Sequence, residues 1–288
     1  MEILIELIKY IIFGIVQGVT EVLPVSSRGH VLFLDSIFRA GIGDNDFFVI
    51  LLNLGSMIAV IYFLRKDVKL YFKDFYKYVI KKDRSKEIKH NYNYLRNVFI
   101  GIIPIFIVGA TVTFVGLKDY SESISYVLIG LGALATATIL FIVRNQMNEH
   151  VNKDVTSKSA FFIGVMQVLS VFPGLSRLGI TTAAGVNRRL SMDSALKFAF
   201  MMFIPISIGA ILSQFIAVNF DFSILLSDFI VNDIWTYFYY IISFIVSIFA
   251  TYYSLKWVFI WFRKGKLTVF YLYNLLFGLI AIAYGLII

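Results

Sequence analysis

Apolar runs close to 20 residues long recur from one end of this chain to the other, and that length matches the hydrocarbon thickness of a bilayer. No water is available inside lipid to pair a free peptide group, so such runs must fold as helices that satisfy their own backbone. Hydrophobic residues make up 59% of the chain and charged residues 15%, with a mean hydropathy of +0.82. Those values exclude an ordinary soluble domain. The clearest full-length spans are six, at roughly 46–64, 97–116, 124–143, 195–218, 234–262 and 267–288. The expected fold is therefore a single all-α polytopic transmembrane domain over residues 1–288. Glu2 and Glu6 precede Lys9 and no small-residue cleavage site follows, so the first apolar segment is expected to be retained. The chain has no cysteine, which excludes disulfides and thiolate metal sites.

The net charge of +8 raises the question of nucleic acid, and its location answers it. Residues 65–96 hold eleven basic residues against Asp67, Asp74, Asp83 and Glu87, an excess of seven. A cytoplasmic loop facing anionic headgroups accounts for that cluster, and nucleic acid is set aside as a partner. Tyr71, Phe72, Phe75, Tyr76 and Tyr78 are interleaved with the lysines, a pattern that predicts a helix lying along the membrane surface. The loops 117–123 and 219–233 lean acidic and belong outside. Arg263-Lys264-Gly265-Lys266 marks the cytoplasmic side again.

Within this apolar background two segments look alike. The first runs Gly14 to His30 and the second Gly164 to Gly179. Each has a Gly, a Gln three residues later (Gln17, Gln167), a Pro (Pro24, Pro173), and Ser-Arg at three and four residues past that Pro. Aligned on the prolines, the second copy is one residue shorter. The spans that follow the copies run in opposite directions, which predicts inverted repeats over approximately 1–145 and 151–288. Pro24 and Pro173 interrupt helical pattern, so the motif segments are expected to be broken or re-entrant helices, as in secondary transporters.

Gln17 and Glu21 are four apart and share a helix face. After Pro24, Ser26 and Ser27 fall where a new helix begins, with free N–H groups and a positive dipole end. Gly29 allows close approach, and His30 lies in the next turn. In the second copy Gly174 opens the bend and Ser176 with Arg177 starts the following helix. A serine-rich break taken alone reads more often as hydrogen bonding between helices. A charge at the bilayer centre, however, costs about 2.5–3.5 kcal/mol on insertion scales, so intramembrane charges tend to pair and to function. Glu21, His30 and Arg177 all fall in the duplicated breaks, whereas His90 and His150 lie in charged loops. Carboxylate, imidazole, hydroxyls, helix N-termini and a guanidinium fork together make a phosphate site, in which Glu21 could also hold a divalent ion. Asp193 looks like an ordinary helix-start acid, and Asp35, Asp46 and Asn53 are left without a role.

At this point the sequence resembles the undecaprenyl-diphosphatase family of bacitracin-resistance membrane phosphatases. Its first signature, Glu/Gln-x-x-x-Glu then Pro-x-Ser-Ser-Thr-Gly-His, is met by Gln17, Glu21, Pro24, Ser26, Ser27, Gly29 and His30. Its second, Pro-Gly-x-Ser-Arg-Ser-Gly, is met by Pro173, Gly174, Ser176, Arg177 and Gly179. The resemblance implies hydrolysis of undecaprenyl (C55 polyprenyl) diphosphate in the plasma membrane, at a site facing outward, with a divalent cation (Mg or Ca) and a possible homodimer. It also implies Ser27 as nucleophile, His30 as proton-transfer partner, and Glu21 with Gln17 as metal ligands or Glu21 as base. Arg177 would clamp phosphate, assisted by Ser176 and the helix N-terminus; from the residues themselves Ser26 and Gly174 are expected to line the same phosphate site, and Arg28 to add a second cation that suits a dianionic ligand. Two departures stand out: Arg28 replaces the usual Thr, and Leu178 the usual Ser. They leave a polyprenyl-phosphate flippase or a non-catalytic lipid-phosphate binder as alternatives.

Overall fold

A computed structural model describes residues 2–38, 41, 46–115, 122–144, 154–217 and 234–288. Eleven α-helices account for nearly all of the described chain. They are α1 (Glu2–Glu21), α2 (Ser27–Phe38), α3 (Asp46–Phe63), α4 (Arg65–Val79), α5 (Lys86–Val115), α6 (Glu122–Val143), α7 (Ser157–Val168), α8 (Arg177–Asn187), α9 (Met192–Ala217), α10 (Ile234–Arg263) and α11 (Thr268–Ile287). The acidic loops 117–121 and 219–233, and His150, lie outside the described residues.

Among the described residues six helices are long and apolar enough to cross a membrane, in α1, α5, α6, α9, α10 and α11. That set differs from the expected one at the start. The first apolar segment forms a continuous 20-residue helix up to Glu21. The expected span 46–64 is α3, which runs from Phe48 beside Tyr240 near the start of α10 to Phe63 beside Phe259 near its end, and then bends by 76° into α4. The cause is local, because Arg65-Lys66-Asp67 follows Phe63-Leu64 directly and charges cannot continue into hydrocarbon.

α4 is a helix, as the aromatic and basic pattern predicts. One side is tied to α5: Asn91 Nδ2 donates to the buried Asp74 at 2.7 Å, and Tyr71 stacks on Tyr94 with ring centroids 4.4 Å apart. Burial, with Asp67 nearby, pushes the Tyr71 phenol up to about 12, so it stays neutral. The other side exposes Phe72, Tyr76, Val79 and Ile80 beside Lys69 and Lys73.

The helices gather into one basic end and one opposite end. At the basic end Lys197 meets Asp67 at 3.9 Å, and Arg263 meets Asp193 at 2.6 Å. α5 starts there and α10 finishes there. Tyr239, near the start of α10, donates to Ile3 O at 3.2 Å, so α1 begins at the opposite end and runs alongside α10. α7 begins at the basic end, where Asn97 Nδ2 donates to Val155 O and Ser157 Oγ to Asn97 Oδ1. The two motif helices therefore enter from opposite ends.

Lipid tails are as apolar as leucine, so packing here depends on close approach and on hydrogen bonds between helices. A Cβ on Gly14 would fall 2.6 Å from Ser243 O of α10, and one on Gly164 would fall 2.0 Å from Gly101 O of α5. The motif glycine thus seats each motif helix against the long helix of the other half. Ser243 Oγ donates to Tyr10 O at 2.7 Å and Thr251 Oγ1 to Gly18 O at 3.0 Å, bonds worth about 0.6 kcal/mol each on average. The close backbone contact fixes the crossing more than those bonds do.

Candidate active site

Each motif helix stops inside the bundle and the chain turns back toward the end it came from. α2 returns beside α1, with Phe38 against Phe13, and α8 returns beside α7, with the Arg188 guanidinium over Phe162. The returns begin the same way. Ser26 Oγ accepts from the Gly29 N–H at 3.2 Å, and Ser176 Oγ accepts from the Gly179 N–H at 3.1 Å. Both serines thus cap a helix, as their residue type favours. The second turn needs glycine at Gly174, where φ is +81° and a Cβ would fall 2.0 Å from Ile129 O of α6. Its Ser176 N–H donates to Thr136 Oγ1 at 3.0 Å, and in the first turn Asn274 Nδ2 donates to Pro24 O at 2.9 Å.

These caps correct the register of the repeat. Ser26 corresponds to Ser176 and Gly29 to Gly179, an offset of 150 that also relates Gly14 to Gly164 and Gln17 to Gln167. No deletion is needed once the helix caps, instead of the prolines, are matched. The counterpart of Arg177 is then Ser27, both at the first position of a returning helix, and Arg28 falls one position later. Arg28 is exposed and makes no ion pair among the described residues, so it is not a mate of Arg177.

The two tips meet at Glu21 and Arg177. Arg177 Nη2 donates to Glu21 Oε1, while Gln17 Nε2 donates to Glu21 Oε2 at 3.0 Å and to Asn53 Oδ1 at 2.7 Å. The Arg177 guanidinium also lies 4.2 Å from the Phe203 ring centroid. The Glu21 side chain is 7% exposed and that of Arg177 is 27% exposed, so the pair is more open on the arginine side. Ser27, half-buried, makes no side-chain hydrogen bond among the described residues.

His30 lies one turn after Ser27 on α2 and makes no hydrogen bond to it among the described residues. Its Nδ1 lies 2.6 Å from Ser26 O, which can only accept, so Nδ1 carries the proton. Its Nε2 then accepts from the Tyr273 hydroxyl, also at 2.6 Å. The ring is sandwiched on Phe277, with centroids 3.9 Å apart. The structure thus brings together Glu21, Gln17 and Arg177, and pairs the His30 ring with Tyr273. Asn53, Phe203, Thr136, Tyr273 and Asn274 were not identified from sequence. Asn53 and Asn274, each a lone amide inside an apolar span, carried the only visible signal.

The donor set does not fit a resident divalent ion. Both Glu21 oxygens are engaged, one by a guanidinium, and no group of three His, Asp or Glu residues gathers among the described residues. Ca needs about six to eight oxygens in its shell, whereas Mg is held by one or two carboxylates together with waters and substrate phosphates.

The family profile of bacitracin resistance protein BacA matches residues 10–280. The chain belongs to this family. Among its relatives, an undecaprenyl-diphosphatase of Acholeplasma laidlawii is 38% identical over 213 residues, covering 72% of this chain and 75% of its own length. An undecaprenyl-diphosphatase of Oceanobacillus iheyensis is 29% identical over 284 residues and covers 96% of both chains. Undecaprenyl-diphosphatase 3 of Bacillus anthracis is 29% identical over 287 residues, 99% of this chain and 100% of its own. As a member of the BacA family the protein is a multi-pass membrane protein, in keeping with its six apolar spans.

Proposed function

We propose that the protein is a membrane phosphatase that hydrolyses undecaprenyl diphosphate to the monophosphate and inorganic phosphate, recycling the cell-wall lipid carrier and conferring bacitracin resistance. The observation that carries this reading is the ion pair between Glu21 and Arg177, the latter at the start of α8, with α2 beginning six residues after Glu21 at Ser27, whose hydroxyl has no hydrogen bond among the described residues. The family and the names of its relatives support it. In the same reading the site opens to the outer face of the plasma membrane, and the protein forms a homodimer.

The geometry suggests how the chain's own groups perform the reaction. An incoming diphosphate competes for the Arg177 fork, and Glu21 is released as a base. Ser27 Oγ attacks the terminal phosphorus. The Oγ–P bond forms as the bond from that phosphorus to the bridging oxygen breaks, and undecaprenyl monophosphate departs as an anion. Glu21 takes the serine proton and passes it to solvent. Water then attacks the phosphorus of the phosphoserine: its O–P bond forms as the P–Oγ bond breaks, and inorganic phosphate leaves with the water's oxygen. His30 serves this second step: the Tyr273 hydroxyl hands its proton to Nε2 and takes one from the water, and the pair resets as serine is reprotonated. A divalent cation, Mg or Ca, would enter with the diphosphate, since the free site does not provide for one.

The test is phosphate release from undecaprenyl diphosphate by the purified protein, with and without chelator. Ser27→Ala is expected to lower turnover by at least roughly 10³-fold while lipid binding persists, because nucleophile loss acts on the chemical step. Near-normal turnover in Ser27→Ala would move the nucleophile elsewhere. Absence of phosphate release by the unmutated protein would sink hydrolysis and favour lipid-phosphate transport or binding.

A further inference from the structure

Gln167, in the last turn of α7, is 1% exposed, and among the described residues neither its Nε2 nor its Oε1 has a hydrogen-bond partner. The repeat explains how this comes about. Gln17 gives its amide hydrogens to Glu21 and Asn53. The residues 150 positions after those two are Val171 and Phe203, and neither has a side chain that can pair an amide. An unpaired amide at this depth is costly. A leucine or methionine of similar size would avoid that cost. Native chains keep few such groups, and they concentrate where function overrides local preference.

The location points to the ligand. Gln167 ends the helix that leads through Pro173 and Gly174 to the phosphate-clamping Arg177. Phe203, which replaces the asparagine partner, is the ring that the Arg177 guanidinium covers. The Gln167 amide offers two N–H donors and one acceptor. A phosphoryl group matches that set, with anionic oxygens that accept and, when protonated, a hydroxyl that donates.

We propose that Gln167 is a binding residue for the phosphoryl group of the lipid, engaged as Arg177 turns from Glu21 to the ligand. The proposal rests on the reading of this site as a polyprenyl diphosphate site. In the second half the ligand's oxygens take the place that Glu21 and Asn53 hold around Gln17.

Two measurements on Gln167→Leu and Gln167→Met test it: binding of undecaprenyl monophosphate and diphosphate to the purified protein in detergent, and the thermal unfolding midpoint without lipid. The expected result is at least about ten-fold weaker binding of both lipids, with a midpoint unchanged or raised. Binding within about two-fold of the unmutated protein overturns the proposal, whichever way the midpoint moves. Loss of binding together with a fall in midpoint also counts against it, because it marks Gln167 as scaffold. Failure of the unmutated protein to bind either lipid would refute the site reading itself, independently of Gln167.

Discussion

Glu21 and Arg177, 156 residues apart in sequence, form an ion pair at the point where the two returning hairpins meet. Glu21 closes α1, which enters from one end of the bundle, and Arg177 opens α8, whose hairpin enters from the other. The pair therefore holds the tips of both halves together.

Removing one partner leaves the other charge without compensation. Glu21→Gln or Arg177→Met alone is expected to lower unfolding stability, by less than the roughly 3–5 kcal/mol of a fully buried pair because the Arg177 side chain is 27% exposed. The combined variant should recover most of that loss, measured by denaturant unfolding in detergent. Strictly additive losses would mean that the two residues do not support each other.

Tyr273 holds the only ring nitrogen of His30 that is free to take a proton, at 2.6 Å. A hydroxyl can donate to neutral Nε2 and accept from protonated Nε2, whereas phenylalanine can do neither. Tyr273→Phe is expected to reduce kcat about 10-fold or more with little change in KM, in line with the roughly 1–3 kcal/mol cost of an unmet buried polar group. In a His30→Ala background the same change should have no further effect. Independent, multiplicative losses in the double variant would show that Tyr273 acts through something other than His30.

Opposed hairpins require opposed loops. The chain has no cysteine, so single cysteines report without background. Lys69→Cys, on the exposed side of α4, should label only from the cytoplasmic side, and Asp228→Cys only from the outside. Labelling of both from one side of right-side-out vesicles would defeat the inverted arrangement.

Much of the fold was legible because lipid leaves a chain few choices. Apolar length alone marked α5, α6, α9, α10 and α11, and the charged run after Leu64 marked a helix at the surface. The candidate site was half legible. Glu21 and Arg177 stood out because charges deep in apolar sequence are costly, but nothing in the order of residues said that they would touch. The register of the repeat was misread by one residue, since prolines are conspicuous in sequence while the caps at Ser26 and Ser176 are defined only by backbone hydrogen bonds.

By itself the sequence determined the class of fold, the opposed charge bias of the two halves, and the residue types brought to the breaks. These follow from local composition and spacing, which act wherever the chain goes. The tertiary structure alone decided the partners: Arg177 for Glu21, Asn53 for Gln17, Tyr273 for His30, and none among the described residues for Gln167. Those pairings depend on how closely Gly14 and Gly164 let each motif helix approach the other half. Contacts of that kind join positions far apart in the chain, and their geometry is set by packing that no single segment encodes.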